Sequence, residues 1–473
     1  MSKTGRIAVY FLLGLLGLGL IAMLALPFWF GMQAQARFDA AVAELNRQGA
    51  PMMRVETSRF DRGWLTSRAE TLVQHAQLPV RLRITHELRH GPVYLPGLLN
   101  DDPALLLAMI ESRLGMGEAA GGQSMTLASG HTRVALNGDT TSQWGLEDMM
   151  TAMLGSNRPV WLRADYRAAD RQVTVQAQLP EASMQDPQGN GLRLDDLRLR
   201  LEAEPARNGD FMVGSYGISL KYLRAGGMAE MTVIEDLRLR ARAGERGDRL
   251  DTEMAVSFEK AESVAGSAGP GRLILQLNNL HAPSVAALAK AQEEMLSDLD
   301  PLADPQAQAA LLMGPMMEIL PAMLSQAELR IPTLYLATAD GAMNGKARVG
   351  LPVIDPEYAA VPMALLAELE LEADLAIDEP MMRKALEGAL RTRLAAARQG
   401  ELAEGGSLLR EEIDENAAMQ TESQLGVLAS QGYLSLADGV YRTRLTLEQG
   451  SLLMNGRPLN PMALMQGGSM AGQ

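Results

Sequence analysis

The residues of this sequence best placed for joint chemistry form the run His86-Glu87-Leu88-Arg89-His90, which has the spacing of a zinc-peptidase motif. In such enzymes a helix brings the two histidines onto one face, and the glutamate activates a metal-bound water. Here the residues from Val80 to Arg89 alternate between apolar and polar, which predicts a strand. On a strand the two histidines lie about 13 Å apart at about 3.3 Å per residue, too far for one zinc ion. A membrane-anchored zinc-dependent hydrolase using His86, Glu87 and His90 is therefore the alternative function.

Other combinations of reactive residues give no site. Cysteine is absent, which excludes disulfides, thiolate catalysis and Cys-ligated metals. His75, His131 and His281 stand alone among strand or loop residues. The adjacent acids Asp195-Asp196 point to opposite faces of a strand and are interpreted as surface charge. The sequence thus predicts no catalytic residue, no metal and no cofactor.

The methionines, 30 in all, are the more informative residues. The stretch Leu311 to Leu324 carries one charged residue, Glu318, and is interrupted by prolines, so it is either buried or binds something apolar. Methionine is flexible and polarizable, which suits apolar partners of varied shape. Ordinary core packing is the first interpretation of these residues, and the functional hypothesis is an apolar cleft between the sheet and the predicted 305–324 helix that accepts a lipid tail or an apolar polypeptide. Its candidate lining residues are Met313, Met316, Met317 and Met323.

The segment from Ile7 to Phe30 has no charged side chain. At about 1.5 Å per residue it is long enough for a hydrocarbon core of about 30 Å, so it predicts a transmembrane helix. Lys3 and Arg6 precede this segment, and the positive-inside rule then places the N-terminus in the cytoplasm and the rest of the chain across the membrane. The alternative is a signal peptide cleaved after Ala34-Gln35-Ala36. We expect an uncleaved signal-anchor that crosses the membrane through residues 7–30.

The net charge of −14 argues against nucleic acid as a partner. It also means that anionic lipid would repel the body, except at apolar surfaces or local arginine clusters.

Strands predominate among the elements that must position these residues. Alternation of Leu with Arg after Asp195-Asp196 recurs after Glu235-Asp236, and the doubled acid in the first copy predicts a bulge. We predict an α+β fold: a transmembrane helix followed by a β-rich body of long antiparallel strands, with helices inserted at about 283–325 and 379–430. Tyr166 to Leu179 is predicted as a single strand, and Glu404-Gly405-Gly406 is predicted to separate the last two helices. The predicted division is an anchor over 1–36, a β-rich region over 37–282, a helical insertion over 283–326, and a β-rich region over 327–473 with two helices and C-terminal hairpins.

Three short motifs occur in order along this layout. They are Arg62-Gly63-Trp64-Leu65-Thr66-Ser67, His90-Gly91-Pro92, and Met454-Asn455-Gly456-Arg457-Pro458-Leu459. Together they resemble the YdgA-like family of bacterial envelope proteins. The resemblance implies an inner-membrane-anchored, periplasm-facing, β-rich protein with a shared domain of unknown function. It supplies no catalytic residue, and it singles out Gly63, Trp64, Ser67, His90, Gly91, Pro92, Asn455 and Gly456.

We therefore expect a non-enzymatic binding or scaffolding protein of the cell envelope, with a lipid or another envelope protein as its partner.

Overall fold

The structure is a computed structural model. It describes part of 35–46, then 53–63, 65–75, 81–91, 106–116, 125–186, 190–207, 211–227, 231–264, 266–298, 319–353, 369–397, 399–448 and 450–459. The predicted anchor at 7–30 lies outside these residues. Among the described helices, none combines the length and the hydrophobicity needed to cross a membrane.

The described chain is mainly strands. The first nine are β1 Met53–Arg62, β2 Thr66–His75, β3 Arg81–His90, β4 Leu106–Met116, β5 Thr126–Ala135, β6 Thr140–Leu146, β7 Trp161–Arg167, β8 Gln172–Gln185 and β9 Gly191–Pro205. The next six are β10 Met212–Gly226, β11 Met231–Arg246, β12 Arg249–Phe258, β13 Lys260–Ser263, β14 Gly266–His281 and β15 Glu328–Thr338. The last six are β16 Gly341–Gly350, β17 Glu370–Asp378, β18 Ser435–Ala437, β19 Val440–Glu448, β20 Ser451–Met454 and β21 Arg457–Pro458. The predicted β-rich body of long antiparallel strands is confirmed.

All of these strands belong to one 21-stranded sheet. From β1 to β11 each strand pairs antiparallel with the next one along the chain. Strands β12 and β13 lie end to end, because both pair with β11 on one side and with β14 on the other. The sheet then continues through β15, β16 and β17 to β19, which also pairs with β18 and β20. This arrangement is a β-meander, in which strands that follow one another along the chain are neighbours in the sheet.

The helices are α1 Asp148–Met153, α2 Ala282–Asp298, α3 Glu379–Ala397 and α4 Gln399–Ser430, with further helical residues between 35 and 46 and at 319–324. Of the insertion predicted at 283–325, α2 and the helical turn at 319–324 are described. The strands on either side of it, β14 and β15, pair directly. The predicted break between the last two helices at Glu404-Gly405-Gly406 is wrong, since α4 runs through it.

Two details of the strand prediction are also wrong. The single strand predicted over Tyr166 to Leu179 is the hairpin of β7 and β8, whose turn contains Arg171 with a φ of 54°. At Asp195-Asp196 there is no bulge, because both ladders keep their register across the pair. Asp196 instead adopts a left-handed backbone with a φ of 54°, which a short polar side chain tolerates.

Fully buried apolar residues are concentrated at a few places in the sheet. One cluster lies where α2 begins and comprises Ala206, Val213, Leu250, Leu280, Ala282 and Ala327. Another group lies in α3 and α4, which pack against each other, and comprises Leu390, Ile413, Ala417 and Leu425. The described helices thus cover limited parts of the sheet.

Candidate functional site

Two motif residues that are far apart in the sequence meet in the structure. Ser67 at the start of β2 and His90 at the end of β3 are both buried, and the Ser67 Oγ lies 2.8 Å from the His90 Nε2. Burial lowers the pKa of His90, so the ring is neutral at neutral pH. Among the described residues, its Nδ1 has no hydrogen-bond partner and is buried. A serine and a histidine in contact could form a nucleophile and base, but Ser67 is only 1% exposed, which denies a substrate access to its hydroxyl.

His86 occupies a similar site four residues earlier on the same face of β3. Its Nε2 lies 3.2 Å from the Thr71 Oγ1, and its Nδ1 lies 2.8 Å from the Ser112 Oγ. The Phe38 ring packs edge-on against it at 5.4 Å between centroids. Burial lowers the pKa of His86 to about 4. The arrangement satisfies both ring nitrogens and holds the imidazole neutral.

The strand predicted for the His86 to His90 segment is confirmed, since the segment lies in β3. Glu87 points to the opposite face, where its carboxylate is 3.7 Å from the Arg89 guanidinium. Within the described part of the chain, no three His, Asp or Glu side chains come close enough to hold a metal ion. The geometry of β3 thus separates the groups that a zinc peptidase would bring together.

The other motif residues serve turns and close contacts. A side chain at Gly91 would overlap the carbonyl oxygen of Leu106, and one at Gly63 would overlap that of Thr66. Trp64 and Pro92 lie outside the described residues.

In the C-terminal motif, Asn455 and Gly456 form the turn between β20 and β21 with φ values of 51° and 76°. The Asn455 side chain donates to the carbonyl oxygens of Gly432 and Tyr433 and accepts from the Arg444 N–H. This residue therefore ties the end of α4 to β19.

One face of the sheet carries unbroken rows of apolar side chains, which we call the apolar face. Directly paired residues share a face of the sheet. Three rows follow from the strand register. The first is Ala177, Leu199, Ile218, Leu239, Val256, Leu273 and Leu334. The second is Val175, Leu201, Tyr216, Ala241, Met254 and Leu275. The third is Leu179, Leu197, Leu220, Leu237, Phe258, Gly271 and Leu336.

The opposite face, which we call the charged face, carries the alternate residues of the same strands. It displays Arg198, Arg200, Arg238 and Arg240 beside small or acidic neighbours. Successive residues of a strand point to opposite faces, so a sheet with one apolar and one charged face explains why apolar and charged residues alternate along the sequence.

The apolar face is only partly covered in its middle. The N-terminal helical residues reach β1 and β3, where Phe38 packs on Phe60 as well as on His86. Among the described helices, α1 lies beside β5, α2 beside β14, and α3 beside β16, β17 and β19. Between these places Leu162 and Met254 on the apolar face remain 39% and 37% exposed, and their neighbours are mostly half-buried. Apolar side chains that stay partly exposed on one sheet face make this face a candidate interaction surface.

The predicted methionine cleft falls largely outside the described residues, which include Met323 alone of its four members. Met323 is half-buried and packs with Leu324 against the cluster at the start of α2. Sequence reasoning missed the apolar face, although its signal was present. The Leu positions of β9 and β11 alternate with Arg, and their alignment in rows becomes visible only when the register is known.

Fold and site together define a class: an antiparallel β-meander protein whose sheet has one apolar and one charged face. The family model described as bacterial protein of unknown function (DUF945) matches residues 7–462. The chain belongs to this family, and the match covers nearly its whole length. No curated protein and no solved structure matches the chain.

Proposed function

We propose that this protein binds the acyl chains of lipids along the apolar face of its sheet. The observation that supports the proposal is the set of three apolar rows that cross β8 to β14, two of which reach β15, and that are only partly covered by the described helices. Lipid chains on such a surface would remove apolar side chains from water.

An acyl chain fits this face better than an apolar polypeptide does. An extended polypeptide brings backbone N–H and C=O groups, and each one buried without a partner costs free energy. The rows consist almost entirely of Leu, Ile, Val, Ala, Phe and Met, with Tyr216 as the polar exception. An acyl chain carries no polar groups along its length, so it does not need the hydrogen-bond partners that the apolar rows lack.

The size of the face favours more than one chain. From β7 to β16 the sheet spans about 40 Å at about 4.8 Å per strand. A lipid chain reaches across half of a hydrocarbon core of about 30 Å, so it is about 15 Å long. Two or more lipids therefore fit side by side.

The proposed location is the periplasmic side of a bacterial inner membrane. It rests on the uncharged segment Ile7 to Phe30 and on the cations Lys3 and Arg6 before it. Assignment to the YdgA-like proteins, which rests on the three short motifs, agrees with this location. An anchor there would hold the apolar face close to a source of lipid. The proposed role is binding or scaffolding and involves no catalysis.

A matched pair of variants on β8 tests the proposal. Val175 lies on the apolar face and Gln176 on the charged face, and both are half-buried. Val175→Glu places a carboxylate in a lipid-contacting row, so we expect lipid that copurifies with the full chain to fall severalfold. Gln176→Glu should retain it. The measurement is phospholipid per protein by mass spectrometry after extraction in a mild detergent, with circular dichroism as a check on folding. Equal lipid in the wild type and both folded variants would contradict the proposal.

A further inference from the structure

Most arginines on the charged face have an acidic partner on the same face. Arg163 pairs with Asp165 at 2.8 Å, and Arg198 pairs with Asp196 at 2.8 Å. The Arg198 and Gln178 side chains also hold the pKa of Asp196 below its ordinary value, against the opposing effect of burial. Surface pairs of this kind balance charge and contribute little stability.

Three arginines around β12 differ from this pattern. Within the part of the chain that the structure describes, the side chains of Arg238, Arg240 and Arg272 make no ion pair and no hydrogen bond. All three are exposed. Arg238 and Arg240 belong to the second copy of the repeated pattern. In the first copy the equivalent Arg198 and Arg200 are paired with Asp196 and Glu202.

The strand register places these arginines around one cleft. Ser257 on β12 pairs with Arg238 of β11 on one side and with Arg272 of β14 on the other. Ala255, two residues earlier, pairs with Arg240. Because Ser257 and Ala255 are small, the surface sinks between the arginines into a cleft of about 370 Å³. Tyr335, which pairs with Arg272, also lines this cleft.

We propose that this cleft binds a phosphate group. The two flanking strands lie about 10 Å apart, so the guanidinium groups of Arg238 and Arg272 can approach one anion from opposite sides. A guanidinium matches phosphate oxygens with two parallel hydrogen bonds, and the Ser257 hydroxyl on the floor can donate another. The acid that lines the cleft is Glu259, next to Pro270 at one end, which leaves three cations against one carboxylate.

The negative charge of the whole protein favours anion binding at this arginine cluster over other parts of its surface. At a net charge of −14 the whole protein repels anions in general, so an anion gains most at a cluster of arginines without acidic partners. The cleft lies on the charged face and is independent of lipid binding on the apolar face. The phosphate could come from a lipid headgroup or from a soluble phosphate compound.

The test compares Arg238→Gln/Arg272→Gln with Arg163→Gln, which removes an arginine that is already paired. Binding to the full chain in a neutral maltoside detergent is measured by calorimetry with two probes, inorganic pyrophosphate and dihexanoyl phosphatidylglycerol. We expect the double variant to lose at least tenfold in affinity for a probe that the wild type binds. Arg163→Gln should stay within twofold. Thermal unfolding should be unchanged in both, because the substituted side chains are exposed.

The two probes separate the sources of phosphate. Loss of pyrophosphate binding alone indicates a soluble phosphate ligand, and loss of phosphatidylglycerol binding alone indicates a lipid headgroup. Loss of both supports the site for either source. If the wild type binds neither probe, or if the folded double variant binds both as well as the wild type does, the proposal is overturned.

Discussion

At the scale of single residues, polar side chains on the apolar face of β2, β3 and β4 contact one another across the strands. His86 is held between Thr71 and Ser112, and His90 is held by Ser67. Each histidine is neutral because burial lowers its pKa. Protonation would place an uncompensated charge beside Phe38 and the apolar strand residues. These side chains therefore make the fold sensitive to acid.

We expect the free energy of unfolding to fall between pH 6.5 and pH 4. The folded-state pKa of His86 is about 4, below its ordinary value of 6.5, so in this window the unfolded chain takes up the proton first. The stabilisation is complete above pH 6.5 and is lost progressively toward pH 4, by up to about 3 kcal/mol. His90, whose pKa is also lowered, changes stability in the same direction. Chemical denaturation of the full chain at several pH values measures the effect.

His86→Gln should flatten this pH dependence, and His131→Gln, on the charged face, should leave it unchanged. A wild-type stability that is constant from pH 6.5 to pH 4 would show that the buried histidine does not control acid sensitivity.

A second prediction at this scale concerns Glu87. Its side chain is exposed and contacts Arg89 at 3.7 Å on the charged face. Glu87→Gln should change the free energy of unfolding by less than about 0.5 kcal/mol and leave the cellular phenotype intact. Stoichiometric zinc in the purified protein, together with loss of phenotype in this variant, would instead support the hydrolase.

At the scale of secondary-structure elements, the short motifs hold strand ends and turns in place. The Gly91 N–H donates to the Leu107 carbonyl at 2.8 Å, and the His90 N–H donates to the Leu65 carbonyl at 2.9 Å. Gly91 thus sits where β3 leaves the sheet, pressed against the start of β4. Asn455 performs a comparable task at the other end of the chain, where it links α4 to β19.

Gly91→Ala should destabilise the protein by at least about 3 kcal/mol. Its new Cβ would overlap the backbone carbonyl oxygen of Leu106, which belongs to a paired strand and cannot move aside freely. Gly244→Ala on β11 is the matched control, since a Cβ there meets nothing within 4 Å. Thermal unfolding should show a lower melting temperature for the first variant only. Equal melting temperatures would mean that β3 and β4 can separate at this point without loss.

Sequence patterns predicted many elements well, and the failures have physical reasons. Alternation predicted β3, and the content of Ala, Gln, Glu and Met after a proline predicted α2. The turn between β7 and β8 was missed because Arg171 adopts a positive φ without the glycine or asparagine that usually indicates one. The glycines at Gly405-Gly406 suggested a break that helix propensity alone does not enforce.

At the scale of the whole molecule, the sheet explains why one chain contains so many alternating segments. Each strand shows which of its sides is apolar, but alternation does not reveal its partners. Ser67 and His90 were nominated separately by resemblance, and their contact depends on the register of β2 with β3. The apolar face likewise exists only because Leu199, Ile218 and Leu239 line up across three strands. Function was therefore less predictable from the sequence than the strands were.

The most direct test of the account is photo-crosslinking inside growing bacteria. A photoreactive phenylalanine analogue is placed at Leu334 on the apolar face or at Thr333, its neighbour on the opposite face of β15. After irradiation, the purified protein is digested and the peptides are examined by mass spectrometry for phospholipid adducts. Lipid binding along the apolar face predicts adducts through the acyl chain at position 334 and few at position 333. Equal adducts at both positions, or protein-only adducts at position 334, would contradict it.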